Sequence, residues 1–96
     1  PQYMSPEQAL GQEIDARADL YAVGILMFQM LTGRLPFNHE DAIALIRMQV
    51  SNPPPPLPDS VPQELAAIVF RLLAKQPDQR FPDARTRVGQ ARALLD

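Results

Sequence analysis

The chain has 96 residues with nine basic and eleven acidic side chains, a net charge of −2, one histidine and no cysteine. That length limits it to one domain, able to bury roughly 60–65% of the surface its unfolded chain would expose. The composition excludes disulfides, thiolate zinc sites and thiol nucleophiles, leaves a metal to be held by carboxylates alone, and offers no basic run to follow a nucleic-acid backbone or an anionic membrane.

No stretch alternates apolar and polar residues long enough to make a strand, so the expected fold is all-α. In chain order, "SPEQAL" comes first: Ser5 is a natural N-cap, Pro6 occupies the first helical position, and Glu7 lies near the positive end of the helix dipole. A short helix should run to about Leu10 and stop at Gly11. "DARADLYAVGILMFQMLTG" follows, with Asp15 as cap, apolar residues on every side from Leu20 to Leu31, and Gly33 as a C-terminal stop. A helix apolar all round is expected at the centre of its domain, and this run is too short to cross a bilayer.

Pro36 in "RLPF" turns the chain into a third, amphipathic helix, "EDAIALIRMQV", whose apolar stripe is expected at Ile43, Ile46 and Val50. "NPPPPLPDSVP" then holds six prolines in eleven residues. It reads as a stiff connector rather than a polyproline ligand for an aromatic groove. A fourth helix, "PQELAAIVFRLLAK", opens at Pro62 and turns Leu65, Ile68, Val69, Leu72 and Leu73 inward; after "QPDQRFP" a last one spans "DARTRVGQARALL". No internal repeat is visible, and no signal-peptide pattern stands at Pro1 to Gly11, so a cytoplasmic setting is expected.

Chemistry is harder to find. His39 sits in "FNHED" as a helix-start residue with nothing local to orient it, and four glycines include no phosphate-cradling run. Three polar residues stand in apolar surroundings and call for partners: Glu7, Asp19 and Arg80. Arg80, beside Phe81, would need a carboxylate to receive its planar fork if buried. Glu7, Asp78 and Asp83 are all candidates by spacing, and a solvated Arg80 is the alternative.

"YMSPEQ", "DARADLYAVGILMFQMLTGRLPF" and "LLAKQPDQRF", in that order, resemble the last third of a eukaryotic-like serine/threonine protein kinase domain of the bacterial type. The likeness covers essentially the whole chain, residues 1–96, as a partial kinase domain running from the end of the activation segment to the last helix of the large lobe. It implies that Ser5, Pro6 and Glu7 form the turn closing the activation segment and that Glu7 pairs with Arg80. By the same resemblance Asp19 and Gly24 belong to the Asp-x-Tyr-x-x-Gly start of the long buried helix, where the Asp holds backbone amides of the catalytic loop. Pro1, Gln2, Tyr3 and Met4 look like the loop that contacts the substrate residue after the phosphorylated one. Tyr3, where tyrosine kinases generally carry Trp, favours Ser/Thr specificity.

The implied activity of the parent is transfer of the ATP γ-phosphoryl group, with Mg2+, to Ser or Thr of protein substrates. The Gly-rich loop, phosphate-pairing Lys, catalytic-loop Asp and Asn, and metal-binding Asp of that family have no counterpart in these 96 residues. The chain alone is therefore expected to be inactive, with no catalytic residue, no metal ligand set, and no ATP or Mg2+ bound. The alternative is a pseudokinase-type interaction module docking through the Glu40–Val50 helix; an unrelated small helical binding domain would need the motif order to be accidental. Nucleic acid is not an expected partner, and no membrane span is expected within the chain, although the parent could be anchored elsewhere. An apolar patch left bare on the long helix is expected to promote self-association or loss of order at the N-terminal end.

Overall fold

The computed structural model describes residues 1–81. Four helices fill it: α1 (Pro6–Ala9), α2 (Ala16–Thr32), α3 (Ala42–Ser51) and α4 (Gln63–Leu72), followed by a single 3-10 turn at Pro77–Gln79. Among the described residues there is no strand, and no helix is long and apolar enough to cross a membrane. The helix expected over "DARTRVGQARALL" lies outside the described residues.

The caps form where the sequence places them. Ser5 accepts from the Gln8 N–H while the Gln8 side-chain oxygen accepts from the Ser5 N–H, a reciprocal capping box that closes the first turn of α1 around Pro6. Asp15 accepts from the Arg17 N–H at 2.8 Å to start α2. At the other end Gly33 adopts φ 75°, a left-handed conformation natural to glycine, and its N–H reaches the Gln29 carbonyl at 2.7 Å.

α2 lies against α4, and α1 against α3. Tyr21, Ile25, Phe28, Phe37, Leu45, Val69 and Leu73 make one buried cluster; Leu20, Ile68, Leu72 and Phe81 make a second, and Met27 packs on both. Gly24 sets the α2–α4 approach: a Cβ there would stand 2.8 Å from the Leu72 Cβ and 3.0 Å from a Leu73 methyl. The proline connector carries no helix from Asn52 to Pro62, as expected of repeated fixed φ angles.

The long helix is central yet carries the bare apolar patch expected of it, and one expectation about faces needs correction. Leu26 and Met30 of α2, one turn apart, are 47% and 76% exposed while Leu20, Tyr21, Ile25 and Phe28 are buried. In α3 the buried stripe is Leu45 and Gln49, not Ile43, Ile46 and Val50. Ile43 stands two residues, about 200°, round the helix from Leu45 and is 62% exposed, while Ile46 and Val50 are half-buried. The physical reason is that Gln49 meets hydrogen-bond partners inside, so a polar residue holds a core position that an apolar count gives to isoleucine.

Candidate functional site

The turn that opens α1 and the turn after α4 are joined by one buried ion pair. Arg80 is 1% exposed and Glu7 2%. Arg80 Nη1 donates to Glu7 Oε2 at 2.7 Å and Nη2 to Glu7 Oε1 at 2.9 Å, the parallel two-bond geometry that a guanidinium and a carboxylate share. Nε donates to the Ala74 carbonyl at 2.7 Å, Nη1 also to the Arg17 carbonyl at 2.9 Å, and Nη2 also to the Lys75 carbonyl at 3.3 Å. Every one of the five guanidinium N–H groups thus has an acceptor, and the Tyr21 ring lies 4.9 Å below the guanidinium carbon.

Burial would raise the Glu7 carboxyl, but hydrogen bonds from Arg80 and from a backbone N–H, the guanidinium charge and the Ser5 hydroxyl hold it below its ordinary value. Of the candidate partners for Arg80, Glu7 is the one the fold brings in; Asp78 is exposed on the 3-10 turn, and Asp83 lies outside the described residues. Ser5 and Pro6 are buried beneath the same turn.

Asp19 departs from the sequence reading. It is exposed on the first turns of α2, in no apolar surroundings, because its neighbours Ala18 and Leu20 take the inward directions. Gly24 is a packing position between α2 and α4 and touches no polar group of the site. His39 belongs to the turn before α3, where its Nδ1 accepts from the Asp41 N–H at 2.9 Å.

The segment Pro1–Met4 is tied down from two directions. The Tyr3 hydroxyl donates to Gln29 of α2, and Gln49 of α3 donates from Nε2 to the carbonyls of Pro1 at 3.1 Å and Gln2 at 2.9 Å. The Met4 N–H closes a turn on the Pro1 carbonyl at 3.3 Å.

Sequence reasoning missed Gln49, Tyr21 and Lys75, which form a polar chain running from the half-buried Lys75 to the buried Tyr21 and Gln49. Gln49 is fully buried, and its Oε1 accepts from the Tyr21 hydroxyl; Lys75 Nζ stands 3.4 Å from both the Tyr21 hydroxyl and the Met48 carbonyl. The ammonium lies over the Phe37 ring, 4.1 Å from its centre. Burial, with help from the Arg80 charge, lowers the Lys75 amine to about 8, and burial pushes the Tyr21 phenol up. A signal was present: Gln49 falls four residues after Leu45, on the stripe of α3 that faces inward.

These residues do not fit ATP or a magnesium ion. Among the described residues no three His, Cys, Asp or Glu side chains gather where a metal could sit, and Gly11 and Gly33 serve turns while Gly24 serves packing. The arrangement fixes backbone segments against one another.

Residues 1–89 match the protein kinase domain family. The chain is 49% identical over 88 residues to the serine/threonine-protein kinase PksC of Streptomyces coelicolor, covering 88% of this chain and 16% of that protein. It is also 49% identical over 84 residues to the serine/threonine-protein kinase Pkn1 of Myxococcus xanthus, covering 84% and 12%. The tyrosine-protein kinase MasK of Myxococcus xanthus is 39% identical over 85 residues, covering 85% and 13%. The chain thus spans well under a fifth of the length of each of these relatives.

Proposed function

The chain belongs to the protein kinase domain family, and from that premise we propose that the protein carrying it transfers the γ-phosphoryl group of ATP, with Mg2+, to serine or threonine hydroxyls of protein substrates. In this reading residues 1–96 supply the floor of the large lobe, and the nucleotide and metal are held by other parts of the protein. The observation that carries it is the buried Glu7–Arg80 pair, which locks the Ser-Pro-Glu turn to the loop after α4 with all five guanidinium donors satisfied. Ser5, Pro6 and Glu7 then hold the end of the activation segment, and Pro1 to Met4 contact the substrate residue that follows the phosphoacceptor. Asp19 and Gly24 act as structural positions of the long helix, Asp19 as a free carboxylate available to backbone amides of a neighbouring segment.

The test is phosphate transfer by the full-length protein from radiolabelled ATP to a general protein substrate, with and without a magnesium chelator, followed by phosphoamino-acid analysis. Magnesium-dependent label on serine and threonine is the expected result. Label on tyrosine alone would overturn the acceptor assignment. No transfer would favour the second reading, a non-catalytic docking module, for which the exposed Ile43 on α3 is the supporting observation.

A further inference from the structure

We propose that Gln49 is a positioning residue, which fixes the backbone of Pro1–Met4 and thereby sets how that segment receives the residue after the phosphoacceptor. The proposal rests on the substrate-contacting role assigned to Pro1–Met4 above, but its structural half stands on geometry alone. Gln49 comes from the far side of the chain, 47 and 48 residues from the two carbonyls it holds. Its side chain is completely buried. One amide nitrogen therefore gathers two successive carbonyl groups, which leaves the intervening peptide little freedom to rotate.

The direction of the amide is determined by its other partners. As the ammonium, Lys75 can only donate, so the Tyr21 oxygen receives from it and the Tyr21 proton goes to Gln49 Oε1. Gln49 Nε2 then faces the Pro1 and Gln2 carbonyls, both acceptors. The reversed amide would bring its oxygen against two carbonyl oxygens, with no proton between them. A single sense of donation runs from Lys75 through Tyr21 and Gln49 to the Pro1–Met4 backbone, and successive bonds in such a chain strengthen one another. The flanking supports are the Phe37 ring beneath Lys75 and the Met48 carbonyl; the charged groups facing the chain are Lys75 itself, Arg80 stacked on the Tyr21 ring, and Glu7 paired with that Arg80.

The experiment uses the full-length protein with Gln49→Met, which keeps the side-chain length and leaves no unpaired amide, and Tyr21→Phe, which keeps Gln49 but removes the donor that orients it. Hydrogen exchange is followed at Gln2, Tyr3 and Met4, together with KM for protein substrate and for ATP. In Gln49→Met, exchange should accelerate at the Met4 amide, whose N–H is held on the Pro1 carbonyl that Gln49 fixes. KM for protein substrate should rise about tenfold, the equivalent of two neutral hydrogen bonds, with kcat and KM for ATP unchanged. Tyr21→Phe should move both readouts in the same direction by a smaller factor. Unchanged exchange in both variants overturns the anchoring, whether or not the protein is an active kinase. Faster exchange with no phosphate transfer even in the wild-type protein keeps the anchoring and defeats the kinase reading instead. Equal losses for both substrates would make Gln49 a general structural residue and overturn the positioning role. Should Gln49→Met fail to fold, an unchanged Tyr21→Phe would by itself overturn the proposed chain.

Discussion

Arg80 and Glu7 sit beneath the surface with every donor matched, and that completeness decides what a substitution does. An intact buried ion pair can add little net stability, because desolvation opposes the attraction, but a single survivor is left charged and unpaired. Arg80→Ala is therefore expected to destabilise the fold by about 3–5 kcal/mol, and Arg80→Lys, which keeps the charge but not the fork, by less; chemical denaturation measures both. An Arg80→Ala protein as stable as wild type would contradict the geometry. The pH dependence follows from the lowered Glu7 carboxyl. As pH falls, the unfolded chain takes up the Glu7 proton first, so the contribution of Glu7 is complete above the ordinary carboxylate value and is lost as pH drops through the lower folded one. Glu7→Gln should flatten this part of the acid limb of stability against pH, and an unchanged acid limb would count against a charged Glu7 in the fold.

At the scale of elements, Gly24 controls how closely α2 can lie on α4. Alanine is the better helix former by up to about 1 kcal/mol, so an exposed Gly→Ala change in a helix stabilises. Here the added Cβ would meet the Leu72 Cβ at 2.8 Å, an atom fixed to helical backbone rather than the free end of a side chain. The helices must part, and overpacking of that kind costs about 1–3 kcal/mol, more than propensity returns. Gly24→Ala should lower the unfolding midpoint, and a raised midpoint would show that α4 gives way freely. The same scale shows what could be read from the chain beforehand. Ser5, Asp15 and Gly33 end their helices because capping is local chemistry, carried by a few neighbouring residues. The buried stripe of α3 is not legible in the sequence, because burial of Gln49 depends on Tyr21 and on carbonyls 47 and 48 residues away, which no helical period records. Arg80 could be seen to need a carboxylate, yet Glu7, Asp78 and Asp83 fitted equally until the fold brought Glu7 alone of the described candidates into reach. Asp19 has apolar neighbours in sequence only, since on a helix adjacent residues point about 100° apart and Ala18 and Leu20 turn inward while Asp19 is exposed.

For the molecule as a whole, α2 feeds both buried clusters with one side and leaves Leu26 and Met30 bare on another. Covering them against a second copy of the chain would bring about 1–2 kcal/mol for each side chain, since both are already partly covered, or about 4–8 kcal/mol for the four side chains of a symmetric pair. Association itself costs about 4–15 kcal/mol in lost translational and rotational freedom. The gain falls entirely within the range of the cost, and even the most favourable difference is about 4 kcal/mol, so the 96-residue chain by itself should be mostly monomeric at about 10 μM and associate reversibly only as its concentration approaches about 1 mM. Sedimentation velocity across that range reads this directly. Leu26→Glu with Met30→Glu should remove the concentration dependence without changing the monomer's shape, because neither side chain supports a buried cluster. A tight dimer at micromolar concentration that survives the double substitution would locate self-association elsewhere, with the exposed Leu10, Ile14 and Ile43 as the residues to change next.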